Sequence, residues 1–72
     1  MDISDLKKGQ AAIVKSLGNS RMAARLNEIG IYPGVQIKVK HVAPLGDPIA
    51  IQIASSTFAL RRAVAQSIEI EI

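Results

Sequence analysis

His41 is the only histidine in this 72-residue chain, and there is no cysteine. Two ligand chemistries fall away at once. Without thiols there is no disulfide framework, zinc knuckle, thiolate nucleophile or iron–sulfur ligand set. With one imidazole, a monomer cannot assemble the two-histidine, one-carboxylate set that suits ferrous iron. His41 also falls near a strand end beside a loop, where a half-buried histidine is ordinary. The carboxylates are Asp2, Asp5, Glu28, Asp47, Glu69 and Glu71, and they sit at the termini, on strand exteriors or in a proline-rich turn. General acid–base work needs titratable groups paired within hydrogen-bond reach, which this scatter does not suggest. Ser20, Ser55, Ser56 and Ser67 have no neighbouring histidine, and no glycine-rich phosphate loop occurs. No catalytic, cofactor or metal residue is assigned, and a non-enzyme is expected.

The remaining chemistry is recognition. Nine Lys and Arg against six Asp and Glu give a net charge of +3. The basic residues are scattered, with Lys7-Lys8 and Arg61-Arg62 the longest runs. A nucleic-acid binder usually clusters its cations in a stripe, and single-strand binders stack bases on aromatics; only Tyr32 and Phe58 exist here. Candidate partner-binding residues are Arg21 and Arg25 on an exposed helix face, Tyr32 and Leu45 in neighbouring turns, and Arg61. Leu45 would be an apolar anchor on a stiff loop. Arg61 has two readings, an anion contact or a stem packed along the barrel with its head in water.

Positioning these residues requires a small scaffold. Seventy-two residues make one domain, and such a chain buries only roughly 60 % of its unfolded surface. Hydrophobic residues are 49 % of the chain, mostly aliphatic and β-branched, so an aliphatic core is expected. The N-terminus lacks the pattern of a signal peptide, and no apolar run nears the ~20 residues of a membrane span. A cytoplasmic protein is expected.

Leu6 should plug the core from a turn that ends at Gly9. A strand follows over Gln10 to Leu17; its poor alternation predicts cover on both faces. Ser20 is the expected N-cap of a helix of about ten residues. Met22, Leu26 and Ile29 form its core stripe, Arg21, Arg25 and Glu28 its solvent stripe, and Gly30 its end. Ile31-Tyr32-Pro33-Gly34 carries a type II turn signal, with proline at the second position of the four only if Tyr32 starts the turn. Val35, Ile37 and Val39 then alternate with Gln36, Lys38 and Lys40. Ala43 to Pro48 must be an ordered loop, with Asp47 bonded to its own backbone. Ile49, Ile51 and Ile53 resume a strand, Ser55-Ser56 turns the hairpin, and Phe58 and Leu60 return. Arg61 to Gln66 fits a helical turn, and Ile68, Ile70 and Ile72 line the last strand. The fold class is mainly β, a small barrel of about five strands, with one helix after the first strand and a helical turn before the last.

Several blocks stand in a distinctive order: Leu6-Lys7-Lys8-Gly9, then Arg25-Leu26-Asn27-Glu28-Ile29-Gly30-Ile31-Tyr32-Pro33-Gly34. Next come Ala43-Pro44-Leu45-Gly46-Asp47-Pro48-Ile49, and Leu60-Arg61 with Ala65 and Ile68. Over essentially the whole chain this series resembles the FeoA family. The resemblance implies a single SH3-like domain over residues 1–72, without cofactor. It also implies a cytosolic accessory role in bacterial ferrous-iron uptake, exercised by protein–protein contact with FeoB, the membrane transporter that carries a cytosolic G-protein domain. The same fold serves as a C-terminal domain in iron-dependent repressors, here without a winged-helix segment ahead of it. Two positions depart from the family: Ser55, where glycine is frequent, and Val64, where glutamate is common. The runner-up readings are a nucleic-acid-binding small barrel and a stand-alone relative of the repressor domain. A metal sensor lacks ligands.

Overall fold

The computed structural model describes every residue except Asn19, with Ser20 described by its backbone alone. A 3₁₀ turn at Ile3–Asp5 is followed by β1 (Ala11–Leu17), α1 (Ser20–Glu28), β2 (Gln36–Val42), β3 (Ile49–Ile53), β4 (Ser56–Leu60), α2 (Arg62–Ala65) and β5 (Ile68–Glu71). The five strands form one antiparallel sheet in the order β4-β3-β2-β1-β5. Register shifts at Val14/Ser16 and Val39/His41 interrupt the ladders. Such irregularities raise the local twist and let a short sheet coil around a core. Beyond β5, Asp2 bridges Glu69 and the Ile70 N–H donates to the Met1 carbonyl. The edges β4 and β5 share no ladder with each other; α2 makes the connection between them. None of the described helices is long and apolar enough to cross a membrane.

The core is aliphatic throughout: Ile3, Leu6, Val14, Leu26, Ile31, Ile37, Val39, Ile49, Ile51, Leu60, Ile68 and Ile70, with Ala12 and Ala65, and no buried polar side chain among the described residues. Leu6 plugs it as expected, joined by Ile3 from the same 3₁₀ turn. Asp2 caps that turn, its carboxylate accepting from the Ser4 N–H while Asp5 accepts from the Asp2 N–H.

The end of α1 is set by Gly30, which takes φ +97°. The Gly30 N–H donates to the Asn27 carbonyl and the Ile31 N–H to the Leu26 carbonyl, at 3.1 and 2.8 Å. These are the two bonds of a Schellman motif, and Ile31 and Leu26 make its apolar pair, both buried. Tyr32 does begin a type II turn, with Gly34 at φ +98° and the Val35 N–H donating to the Tyr32 carbonyl. Bonds from Gly34 N–H to Val14 O and from Val14 N–H to Val35 O stitch the turn to β1. The N-cap expected of Ser20 lies outside the described residues.

Several expectations need correction. β1 is not covered on both faces: Ala12 and Val14 are buried, but Ile13 is 41 % exposed and Lys15 faces solvent. Ile29 does not extend the core stripe. It is 37 % exposed because it follows the last helical residue, Glu28, and Ile31 takes the buried place instead. The hairpin turn is Ala54–Ser55, since Ile53 pairs with Ser56. The left-handed residue is Ala54, at φ +53°, with its carbonyl accepting from Gln52 Nε2. Ile72 lies beyond β5 and is exposed.

Leu26→Ala should therefore lower stability by about 2–5 kcal/mol, as buried leucine truncations do. Ile29→Ala, on the same helix end, should change it by only about 0.5 kcal/mol, the scale of surface substitutions. Urea unfolding of both variants checks this; equal losses would mean that the two side chains are equally enclosed.

Candidate functional site

α1 presents two adjacent rows four residues apart, a spacing that brings side chains to one helix face. Arg21 and Arg25 form the exposed row; Met22, half-buried, and Leu26, buried, form the inner one. Across from them lie Ala59 and Leu60 at the end of β4, Arg61, and Val64 of α2. Together these eight residues line a groove of about 540 Å³, within the size range of ordinary binding clefts. Its floor is aliphatic and its rim carries three guanidinium groups. No ion pair ties any of the three arginines to a carboxylate among the described residues.

Two local devices hold the groove's walls. The Ser67 hydroxyl donates to the Val64 carbonyl oxygen at 2.6 Å, with Met22 Sδ at 2.8 Å. At this point Gly18 lies so close that a Cβ on it would stand 2.8 Å from the Ser67 Cβ. Only glycine lets the chain entering α1 approach the end of α2 so tightly. The second device is Asp47. Its Oδ1 accepts the Arg62 N–H at 3.0 Å, capping α2, whose own N-cap residue, Arg61, contributes no side-chain bond. Asp47 thus bonds to α2 rather than to its own loop. That loop is closed by bonds from Gly46 N–H to Ala43 O and from Ala43 N–H to Pro48 O, and the Arg62 guanidinium approaches the Gly46 carbonyl at 3.4 Å.

Of the residues singled out from sequence, the structure brings Arg21, Arg25 and Arg61 to one groove. Leu45 is not among the residues lining that groove; it stands 94 % exposed on the loop fastened to Arg62, the residue after Arg61. Tyr32 lines a second groove of about 540 Å³ with Val35, Gln36, Ile37, Lys38, Gln52, Ile53 and Ala54. Tyr32 and Leu45 therefore belong to different surface features. Of the floor residues, the sequence places Met22 in a core stripe, Leu60 in a returning strand and Val64 only as a departure from the family pattern, because nothing in their spacing says that β4 ends opposite α1. His41 is exposed on β2. Among the described residues no three His, Cys, Asp or Glu side chains gather where they could hold a metal ion.

A family model described as the FeoA domain matches residues 1–72. The chain belongs to the FeoA family. A curated relative, the Fe(2+) transport protein A/Fe(2+) transporter FeoB fusion protein of Porphyromonas gingivalis, is 38 % identical over 73 residues. The alignment takes in 100 % of this FeoA domain and 9 % of the fusion protein. The solution structure of iron(II) transport protein A from Clostridium thermocellum superimposes with a TM-score of 0.93 at 38 % identity, covering 100 % of this chain and 45 % of that one. The zinc complex of Stenotrophomonas maltophilia FeoA, described as a prokaryotic SH3 domain protein, gives 0.84 at 29 % identity, covering 99 % and 89 %. The SH3-like architecture and the association of the family with ferrous iron transport follow from these matches.

In this FeoA domain the cap on α2 should be measurable. Asp47→Ala is expected to cost about 0.5–2 kcal/mol, the usual range for losing a helix cap, while Asp47→Asn, which keeps an acceptor oxygen, should recover most of it. Denaturant titration of the two variants distinguishes a lost cap from general damage to the loop.

Proposed function

We propose that this chain is a non-catalytic accessory domain of ferrous iron uptake that binds the cytosolic part of a FeoB-type transporter. The observation that carries the reading is the Porphyromonas gingivalis fusion protein, whose name joins an iron transport protein A to a FeoB transporter in one polypeptide. Fusion raises the effective concentration of two modules that engage each other, and a separate chain reaches the same contact by affinity alone. The docking surface is the arginine groove together with Leu45. An interface gains most from an apolar centre within a polar rim, and the aliphatic floor under Arg21, Arg25 and Arg61 has that layout. Leu45, on the loop fastened beside Arg61, supplies an exposed aliphatic anchor.

Arg25→Glu and Leu45→Asp are each expected to weaken binding to the purified cytosolic domain of FeoB by at least about tenfold, or 1.4 kcal/mol, with melting curves like the wild type. Tyr32→Ala, on the other groove, reports whether that surface is used instead. Normal binding by the first two variants would mean that the transporter docks elsewhere. A wild-type chain that ignores FeoB but holds single-stranded oligonucleotides at about 150 mM salt, where screening is strong, would replace this reading with the nucleic-acid one.

Iron itself is expected to belong to the transporter. With one imidazole and no thiolate, the isolated chain should show no tight ferrous site in anaerobic calorimetry. A one-to-one site of micromolar affinity, lost in His41→Ala, would make the protein a sensor.

A further inference from the structure

We infer that the arginine groove binds an extended, acidic segment of the partner, which adds to the sheet as a strand along the free edge of β4. This rests on the reading of the groove as the docking surface and names what enters it. Three independent observations converge on that occupant.

The first is the edge. β4 is the last strand of the sheet, and among the described residues it pairs with β3 alone. Its hairpin has a two-residue loop, so the flanking pair Ile53↔Ser56 is hydrogen-bonded and the pairs alternate from there. Phe58 and Leu60 turn their amides and carbonyls toward β3. Thr57 and Ala59 turn theirs outward, and among the described residues no other backbone hydrogen bond reaches them. Exposed edges are commonly blunted by lysine, proline or a bulge. β4 reads Ser56-Thr57-Phe58-Ala59-Leu60, with none of these and with small side chains at Ser56, Thr57 and Ala59.

The second is where that edge leads. Ala59 and Leu60 form one wall of the groove and α1 the other, so a strand added along β4 runs into the cleft. Its alternate side chains then meet the aliphatic floor of Met22, Leu26, Leu60 and Val64. This division of labour, main-chain bonds for affinity and alternate pockets for specificity, is how added strands are recognised.

The third is charge. Arg21, Arg25 and Arg61 share the rim without a carboxylate partner among the described residues. Guanidinium groups pair with carboxylates in a planar, two-bond geometry that suits them to an acidic ligand. A segment alternating Glu or Asp with Leu or Val meets both the rim and the floor.

The test uses the full chain, labelled with ¹⁵N, and a blocked hexapeptide of sequence Glu-Leu-Glu-Val-Glu-Leu as the probe. Binding should shift the amides of Thr57 and Ala59 and slow their hydrogen exchange, and Arg25→Glu should weaken it at least about tenfold. The same peptide with lysine in place of glutamate should not bind. A version N-methylated at alternate residues should lose binding, because it cannot complete the ladder. Equal affinity for the lysine peptide, undiminished affinity for the N-methylated one, or shifts confined to Tyr32 and Gln52 would each overturn the inference. So would the absence of any shift at millimolar peptide. If the peptide fails while the FeoB cytosolic domain still binds, edge pairing is wrong and the accessory reading stands. If the peptide binds as described and FeoB does not, the groove chemistry holds and the transporter is the wrong partner.

Discussion

The sheet of this FeoA domain runs out of strands before it closes. In the order β4-β3-β2-β1-β5 the two edges have no ladder between them, yet Leu60 at the end of one and Ile68 at the start of the other are both buried in the same aliphatic core. Water must be kept from that seam by something other than a strand. Helical segments do it: α2 spans the connection with Ala65 fully buried, and α1 lays Leu26 into the core with Met22 beside it. Four residues make too short a helix to stand alone, because nucleation fixes several dihedrals for one bond. The cap that Asp47 provides from a distant loop is what makes α2 tenable there. Loop, cap, helical turn and core side chains thus form one dependency.

The groove is the outward face of the same arrangement. Beside the open edge of β4 the helices wall a cleft, with an aliphatic floor that belongs partly to the core. The arginines stand at its rim because Arg21 and Arg25 occupy the outer row of α1, while Arg61 is the residue at which β4 gives way to α2. Cations held apart from carboxylates on a small domain steer an encounter more than they add to its final strength. On the proposed reading of the groove, its apolar floor would decide how long a partner stays.

Family membership bears on this unevenly. The relatives establish the fold and the link to ferrous iron transport, and this chain spans only 9 % of the Porphyromonas gingivalis fusion protein. Fold alone assigns no activity, since functions are grafted onto scaffolds site by site. What the chain does with its groove is a question of Arg25, Leu60 and the edge of β4.

The order of elements, the aliphatic core and the turns at Gly30 and Gly34 were legible in the sequence, because each depends on spacing within a few residues. Alternation along Val35 to Val39 names an inward face, and a glycine after a helical stripe names a left-handed end. The blocks from Arg25 to Gly34 and from Ala43 to Pro48 even named the family. Misreadings arose where the deciding contact is distant. Ile29 fits the apolar period of α1, but the motif at Gly30 buries Ile31 instead. Ile13 belongs to an apolar run, yet no element of the fold covers it. Asp47 looks like a loop residue bonding to itself until Arg62 is brought to it across 15 positions. Arg21, Arg25 and Arg61 each read as a candidate surface cation from sequence. That they share one groove with Met22, Leu26 and Leu60 was decided only by tertiary structure, because no local period encodes which strand edge remains unpaired or which helix comes to lie beside it.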